Sequence, residues 1–344
     1  MKIIKIIFFN SFISILSIVL IESIFGNWFK DDNFGYSIRE IRNIKIPMSV
    51  EYEGKKYNYF FKRNNHGFIG DNINPKNIKI LFLGGSTGEE MFKPPEYSIV
   101  EQLNTKFSNN EIKFKIINAS KGGKSTRGYV NNFKQWFPKI KNFNPKIVIF
   151  YTGLNDSSLK LPKHFDLIEK ENSLERFEDY FKNNSIFYSL KKKIENKYFN
   201  ELRQYYGLVQ KNLYKNFNFI NYDEANRIYS NLDLNENNKN VINNFSINLE
   251  NLNKIIIDKK FFPIFITQIK YDGISDYNLY LVNKYLKKFC KENNYEIIKL
   301  DEMIFDLGKK DFYDHVHTTI NGSEKISNLI YFELEDILKK KFKP

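Results

Sequence analysis

The chain has 344 residues, a length that suits two domains or one large domain with an appendage. Its composition, with 42% hydrophobic and 27% charged residues, excludes wholesale disorder and a collagen-like or coiled-coil protein. The single cysteine, Cys290, excludes an intrachain disulfide framework and a multi-cysteine zinc site. The net charge of +13 would suit nucleic acid, anionic lipid or an acidic glycan, but because the chain is rich in Asn, Lys and Ile throughout, we give it little weight and predict no nucleic-acid partner.

The first 28 residues predict a membrane anchor. No charge interrupts the stretch from Ile6 to Ile21. A helix from Ile3 to Phe25 would be about 34 Å long, enough for a hydrocarbon core of about 30 Å, with Trp28 at the level of the headgroups. A cleaved signal peptide is the main alternative, but no small-x-small site follows the apolar run. A buried helix is the third reading, and we expect an uncleaved anchor over residues 1–28.

Charges on the two sides of this segment are nearly balanced. Lys2 and Lys5 precede it, while Lys30, Arg39 and Arg42 follow closely. The positive-inside rule therefore decides the orientation only weakly. Because a long domain follows a single N-terminal anchor, we predict that the bulk of the chain is extracytoplasmic, in a periplasm or at the cell surface.

Residues 29–75 read as a connector with extended segments, and residues 76–344 as an α/β domain. Short, nearly continuous apolar runs predict buried strands at Lys79–Leu83, Phe114–Ile117, Lys146–Tyr151, Phe262–Thr267 and Glu296–Leu300. Helical spacing marks the segments between them, at Ile99–Phe107, Val130–Ile140, Phe245–Asp258 and Tyr277–Asn293. This alternation predicts a parallel sheet. Residues from about 160 to 245 break the rhythm and read as a helical insertion or lid.

Parallel sheets gather their functional groups at the carboxyl ends of the strands. Three polar segments directly follow predicted strands, and a fourth lies near the C-terminus of the chain. They are Gly84-Gly85-Ser86-Thr87-Gly88, Asn118-Ala119-Ser120-Lys121-Gly122-Gly123, Gly153-Leu154-Asn155-Asp156 and Asp314-His315-Val316-His317. Each is weak alone: the serine suits a helix N-cap, the glycines a tight turn, the Asn-Asp pair a turn or cap, and the histidine a structural role.

Together these segments suit acyl transfer. A serine hydroxyl needs a neighbouring base to take its proton, and His317 is suited to that role for Ser86. Asp314 stands three residues before His317, close enough in sequence to orient the imidazole. A tetrahedral intermediate also needs hydrogen-bond donors, which the N–H groups of Ser86 and Gly123 and the amide of Asn155 would supply as an oxyanion hole.

The order LGGS, NASKGG, GLND and DHVH resembles the blocks of the SGNH (GDSL-type) hydrolases, over about residues 76 to 340 without the insertion. The resemblance implies Ser86 as nucleophile, Gly123 and Asn155 in the oxyanion hole, and Asp314 with His317 completing the triad. It also implies a flavodoxin-like α/β/α sandwich and hydrolysis of esters or thioesters, commonly O-acyl groups on glycans or lipids. The lead-in Arg63-Asn64-Asn65-His66-Gly67-Phe68 is similar to that of membrane-anchored members. Gly85 stands where the family usually has Asp, and the separation from Asn155 to Asp314 exceeds the usual spacing.

Two other site chemistries compete with this interpretation. His315 is an alternative base, but it adjoins Asp314, so its side chain should diverge from that carboxylate. A zinc site at Asp314, His315 and His317 would need further ligands, so we predict no metal and no organic cofactor. The sequence Gly123-Lys124-Ser125-Thr126 ends like a phosphate-binding loop, but Asn118 stands where that motif requires Gly.

We therefore predict a membrane-anchored serine esterase that hydrolyses small acyl esters. The substrate hypothesis is O-acetyl groups on a surface polysaccharide, with the carbohydrate and the membrane as partners. An O-acyltransferase with the same triad and a non-catalytic glycan-binding or assembly protein on the same scaffold are the alternatives. The sequence does not specify the oligomeric state.

Overall fold

A computed structural model describes residues 2–29, 41–109, 115–158, 163–167, 172–200, 219–303 and 307–341 of the chain. They divide into two compact units, each described here by itself. The helical unit comprises residues 1–41 and 169–204, and the sheet unit comprises residues 42–168 and 205–344.

The strands and helices alternate along most of the chain. The strands are β1 (Ile44–Tyr52), β2 (Lys55–Arg63), β3 (Ile80–Gly84), β4 (Ile116–Asn118), β5 (Ile147–Tyr151), β6 (Phe262–Ile266) and β7 (Glu296–Ile298). The α-helices are α1 (Lys2–Phe25), α2 (Ser86–Glu89), α3 (Ile99–Asn109), α4 (Thr126–Asn131), α5 (Ser173–Asn184), α6 (Ile186–Asn200), α7 (Tyr222–Tyr229), α8 (Glu236–Lys259), α9 (Tyr277–Asn293) and α10 (Ile320–Lys341).

The main sheet has five parallel strands in the order β4-β3-β5-β6-β7. This is the flavodoxin-like order, in which the chain reverses its direction across the sheet between the first and third strands, here β3 and β5. The predicted parallel α/β fold and its five strands are confirmed; Phe114 lies outside the described residues. Loops after β3 and β5 therefore meet at the switch point, where open α/β sheets bind their ligands.

Helices cover both faces of the sheet. Ile80, Phe82 and Ile149 share one apolar core with residues of α3 and α10. On the other face, the ring of Phe150 lies 6.0 Å from Tyr129 of α4 and 5.0 Å from Phe265. Successive strand residues point to opposite faces, and since both faces are buried, β3 and β5 read as continuous apolar runs.

Outside the main sheet, β1 and β2 form an antiparallel hairpin that pairs Ile44 with Arg63 and Tyr52 with Lys55. The predicted helix at Val130–Ile140 is helical but irregular. It continues α4 as a π-helix, Asn132–Trp136, and ends in a 3-10 turn, Phe137–Lys139. Pro138 lies in that last turn, and because proline has no N–H group it cannot continue an α-helix.

The region predicted as an insertion, about 160 to 245, is divided between the two units. Helices α5 and α6 belong to the helical unit, whereas α7 and the start of α8 belong to the sheet unit, where Ala225, Val241 and Phe245 are buried. Residues 159–162, 168–171 and 201–218 of this region lie outside the described residues.

Helix α1 is long and apolar enough, over Ile3–Phe25, to be a membrane anchor or a signal sequence. None of its most apolar window is buried among the residues that the structure describes, which disfavours the reading of this segment as a buried helix.

Candidate active site

Ser86 begins α2, directly after β3. Gly85 is in an extended conformation and Ser86 is the first helical residue, so the sharp change from strand to helix leaves Ser86 partly exposed while Thr87 and Gly88 are buried. Gln268 ties this turn to the neighbouring strands. Its Nε2 donates to Thr87 Oγ1 over 2.7 Å, and its Oε1 accepts from the N–H of Leu154 over 3.0 Å.

Asn155 packs against the backbone of Gly85. A Cβ atom on Gly85 would lie 2.3 Å from Asn155 Nδ2, closer than any real contact. The same Nδ2 donates to the carbonyl of Lys124 over 2.7 Å, which fixes the amide group beside Ser86 and leaves its second hydrogen for another acceptor. This contact explains why glycine replaces the aspartate that the family resemblance leads one to expect.

The Gly122–Gly123 turn also lies beside Ser86. A Cβ on Gly122 would be 3.8 Å from Ser86 Cβ, and Gly123 has φ +75°, a conformation that favours glycine. The N–H of Gly122 donates to Glu89 Oε2 over 2.6 Å. Ser86, Gly122 and Asn155 are therefore neighbours, brought from the loops after β3, β4 and β5.

A buried arginine holds this arrangement from outside the sheet. Arg63, at the end of β2, donates to Glu89 Oε1 and to the carbonyl of Ser120, each over 2.6 Å, and to the carbonyl of Gly67 over 2.8 Å. The ion pair between Arg63 and Glu89 is largely buried. The lead-in sequence that begins at Arg63 thus supports the turn at Gly122, a role that sequence reasoning did not assign.

Asp314 and His317 form a close pair. His317 Nδ1 lies 2.6 Å from Asp314 Oδ2, while Asp314 Oδ1 accepts from the N–H groups of Val316 and His317 over 2.9 and 2.7 Å. Burial opposes ionisation of Asp314, but these hydrogen bonds and the charge of His317 outweigh it and lower the pKa of the carboxyl group. The ring of Tyr313 stacks on His317 at 5.6 Å. This geometry fixes the imidazole and leaves Nε2 to face a reaction partner.

His315 points elsewhere. It is exposed, its ring lies 5.0 Å from that of Tyr271, and its carbonyl accepts from the N–H of Tyr271 over 3.1 Å. The pairing of Asp314 is thus with His317, as the sequence argument favoured. In the part of the chain that the structure describes, no three His, Cys, Asp or Glu side chains are grouped as metal ligands would be.

A buried polar cluster joins the Ser86 helix to the His317 loop. Lys93 Nζ donates to Glu90 Oε1 over 2.6 Å and to Thr318 Oγ1 over 2.9 Å. Thr318 Oγ1 also donates to Glu90 Oε1 over 3.3 Å. Glu90 directly follows α2 and Thr318 directly follows His317, so the two loops that carry the predicted nucleophile and base are bound to each other.

Phe165 and Asp166 border the glycine turn and were not predicted. A Cβ on Gly123 would lie 2.6 Å from Phe165 Cγ, so the ring stands against this turn. Asp166 fastens the segment: its carboxylate accepts from the N–H and the hydroxyl of Ser125 over 2.8 and 2.7 Å. No local pattern signals these contacts, because they join residues about forty positions apart.

Lys124 does not face solvent as the lysine of a phosphate-binding loop would. It is buried, and its Nζ donates to the carbonyl of Asp166 over 2.9 Å. Burial, strengthened by the charge of Lys121 and opposed by Asp166, lowers the pKa of Lys124 to about 7. The structure therefore uses the Gly-Lys-Ser-Thr sequence for packing and hydrogen bonding within the sheet unit.

The sequence profile of the GDSL-like Lipase/Acylhydrolase family matches residues 80–330, which include β3, all four polar segments and the first half of α10. The chain belongs to this family. Membership assigns this GDSL-like protein to the enzymes that hydrolyse ester bonds. A comparison with curated protein sequences gave no significant match.

Solved structures of GDSL-like and other esterases resemble this chain at low identity. The esterase EstA from Pseudoalteromonas sp. is 13% identical, with a TM-score of 0.43, covering 76% of this chain and 98% of its own. A member of the lipolytic G-D-S-L family from Veillonella parvula is 14% identical, with a TM-score of 0.42 and coverages of 76% and 98%. The acetylxylan esterase Axe2 from Geobacillus stearothermophilus, as a catalytic mutant, is 13% identical, with a TM-score of 0.41 and coverages of 75% and 94%.

Proposed function

We propose that this GDSL-like hydrolase is a serine esterase that uses Ser86 as nucleophile, His317 as base and Asp314 as the group that orients His317. The pairing of His317 Nδ1 with Asp314 Oδ2 at 2.6 Å carries the proposal. With Nδ1 bound to the carboxylate, Nε2 is the nitrogen that would take the proton of Ser86. The hydrogen-bonded link between Glu90 and Thr318 supports the approach of the two loops.

The oxyanion donors in this proposal are the N–H groups of Ser86 and Gly123 and the side-chain amide of Asn155. Ser86 Oγ attacks the carbonyl carbon of the ester as His317 takes its proton. The negative charge that develops on the carbonyl oxygen is then stabilised by these donors. The protonated His317 gives its proton to the leaving alcohol, and an activated water molecule releases the acid from the acyl-enzyme.

The proposed substrate is a small acyl ester, with an O-acetyl group on a surface polysaccharide as the working case. The ring of Phe165 against Gly123 supports a short acyl group because it occupies space beside the proposed oxyanion hole. A pocket of about 190 Å³ has a mixed lining, with Val241, Phe245 and Ile247 among its apolar residues and Asn155, Arg127 and Asn248 among its polar ones. The polar part of this lining supports an alcohol part with hydroxyl groups.

We also propose that α1 is an uncleaved anchor and that the sheet unit is extracytoplasmic. Glu22 and Trp28 support retention of α1. Glu22 accepts from the N–H of Ile186 and the Trp28 ring meets those of Tyr180 and Phe181, and cleavage after residue 28 would remove these contacts. Detection of the N-terminal residues in protein recovered from cell membranes would test retention, and protease accessibility in intact cells would test the side.

Replacement of Ser86 tests the esterase proposal. The full chain in detergent micelles is expected to hydrolyse p-nitrophenyl acetate and to react with a fluorophosphonate probe. Ser86→Ala should lose about 10⁴-fold or more in kcat/KM and all labelling while its thermal unfolding is unchanged. Ser246→Ala, in α8, is the matched serine control and should keep both. Retained turnover in Ser86→Ala would contradict the proposal.

Product analysis separates the alternatives. An esterase releases free acetate from an acetylated oligosaccharide in water, whereas an O-acyltransferase moves the acetyl group to an added sugar acceptor. A glycan-binding protein on this scaffold would bind the oligosaccharide equally well with and without the Ser86 hydroxyl and would release nothing.

A further inference from the structure

Helices α5 and α6 carry exposed apolar stripes. On α5, Leu174 is 76% and Phe177 67% exposed, and Phe181 continues the same face one turn later. On α6, Phe187, Leu190 and Ile194 are exposed at the same helical spacing. Large apolar side chains in such continuous stripes normally mark a surface that is covered by a partner or by lipid.

The junction of these helices is bonded to the last turns of α1. The carboxylate of Glu22 accepts from the Ser185 hydroxyl and, over 3.0 Å, from the N–H of Ile186 at the start of α6. Past the end of α1, the N–H of Asn27 donates to the carbonyl of Asn184 over 2.8 Å. Glu22 is the only charge between residues 6 and 25, and this contact explains it: a carboxylate is favourable at the N-terminus of a helix.

Aromatic residues complete the contact. Trp28 Nε1 donates to Glu22 Oε2 over 2.8 Å, and the Trp28 ring meets those of Tyr180 and Phe181 edge to face, at 5.8 and 5.3 Å. Tryptophan and tyrosine are favoured at the boundary between hydrocarbon and headgroups because they have an apolar ring and a polar group.

These contacts set the depth of α5 and α6. Glu22 is three residues before Phe25, the end of the apolar helix, a rise of about 4.5 Å. A helix that spans the bilayer therefore places the α5–α6 junction at the level where hydrocarbon gives way to headgroups. We propose that α5 and α6 are interfacial helices, with both apolar stripes inserted into the bilayer that α1 spans. This inference rests on the proposed retention of α1.

The positive charge of the lysines on α6 also suits a membrane surface. Lys191 and Lys193 lie on α6 to either side of the stripe formed by Phe187, Leu190 and Ile194, because successive helical residues are about 100° apart. Lysine can bury its methylene groups at the interface while its ammonium group contacts phosphate, and basic interfacial helices favour anionic lipid. The proposed partner is thus a bilayer that contains anionic phospholipid.

The test places a fluorophore at single positions of the full chain. Cys290 is buried and burial raises the pKa of its thiol, so a new surface cysteine can be labelled selectively. Phe177→Cys and Leu190→Cys report the stripes. Glu175→Cys and Lys192→Cys, on the opposite faces of the same helices, are the matched controls, and Leu16→Cys reports the span itself. Each variant carries NBD in vesicles of phosphatidylcholine with a minority of phosphatidylglycerol.

We expect lipids with a shallow doxyl group to quench NBD at 177 and 190 at least about twofold more than at 175 and 192, and aqueous iodide to show the reverse order. Equal quenching at stripe and control positions, with the Leu16 label still quenched by deep doxyl lipids, would overturn the interfacial placement. Protection of 177 and 190 from both quenchers, with cross-links between chains, would overturn it in favour of a second copy. Loss of quenching at 16 would instead contradict the anchor.

Discussion

The two units of this protein place their apolar side chains in opposite ways. In the sheet unit, Phe82, Phe150 and Phe265 have no exposed surface, because helices cover both faces of the sheet. In the helical unit, α1 and the stripes of α5 and α6 present aromatic and aliphatic groups outward. Apolar residues thus serve two environments: those of the sheet unit stabilise it by packing against one another, whereas the exposed apolar surface of the helical unit suits lipid.

The two units also use carboxylates differently. Asp314 bonds the backbone of its own loop and the ring of His317, so it orients an imidazole. Glu22 bonds the start of α6 and the indole of Trp28, so it joins helices. Exchanging each acid for its amide should therefore affect different properties.

The largest effect is expected from Asp314→Asn. An amide cannot stabilise the imidazolium and is able to bind the wrong tautomer of His317, so kcat/KM for p-nitrophenyl acetate should fall about 10⁴-fold. Glu22→Gln should stay within about twofold of the parent, since no role in the reaction is assigned to it. Initial-rate kinetics in micelles measure both. A loss of less than about tenfold in Asp314→Asn would contradict the assigned triad, and a large loss in Glu22→Gln would contradict the separation of roles.

Two phenylalanines test the difference in burial. Phe150→Ala leaves a cavity in the sheet and should lower the free energy of unfolding by about 3–5 kcal/mol. Phe177→Ala removes an exposed ring and should change it by less than about 0.5 kcal/mol. Urea unfolding in micelles, followed by far-UV circular dichroism, reports the helices of both units in both variants. Equal destabilisation would show that Phe177 is buried against protein.

Gly85→Ala tests the proposed role of Asn155 in the sheet unit. The new methyl group would displace the amide of Asn155, a proposed oxyanion donor, and loss of one such donor costs about 10²–10³-fold in kcat. Gly308→Ala is the matched control, because its nearest neighbour, Asp311 Oδ2, would be 3.9 Å from the added atom. Normal activity in a folded Gly85→Ala variant would remove Asn155 from the oxyanion hole.

Sequence reasoning located the parts of the site that depend on regular structure. The strands at β3 and β5 were predictable because burial on both faces leaves continuous apolar runs. Parallel strands bring their carboxyl ends together, so Ser86 and Asn155 could be expected at one edge of the sheet. The three-residue spacing of Asp314 and His317 indicated their pairing, which the 2.6 Å contact confirms.

The supporting contacts were not predictable in the same way. Arg63 reaches Glu89 across 26 residues, and Asp166 reaches Ser125 across 41. Such pairs depend on the final packing of distant loops and have no periodicity. Likewise, the sequence predicted helices in the region of α5 and α6. The proposal that lipid covers their apolar faces depends on their hydrogen bonds to α1, which the sequence did not predict.

The buried Lys124 should make stability depend on pH, whereas the exposed lysines of α6 should not. Its lowered pKa of about 7, against an ordinary value of 10.5, means that the unfolded chain binds more protons than the folded chain between these values. Stability of the parent should therefore rise with pH in this window, by up to about 1.4 kcal/mol per pH unit, and Lys124→Met should lack the rise. Unfolding by urea at about pH 7 and about pH 9 measures it. Lys191→Met controls for the loss of one lysine, because the Lys191 side chain is 66% exposed. If the stability of Lys124→Met rises with pH as much as that of the parent, the pH dependence belongs to another group.

The smallest expected effect compares two aromatic side chains that are about equally exposed, Phe165 at 40% and Tyr180 at 41%. Phe165 stands against Gly123 in the sheet unit, so Phe165→Ala should open the space beside the proposed oxyanion hole. The ratio of kcat/KM for p-nitrophenyl butyrate to that for the acetate should then rise about tenfold, the discrimination that one or two methylene groups provide in a pocket. Tyr180→Ala, beside Trp28 in the helical unit, should leave this ratio unchanged. An unchanged ratio in Phe165→Ala, with normal acetate turnover, would show that the ring does not limit the length of the acyl group. The proposed preference for short acyl chains would then have no structural support.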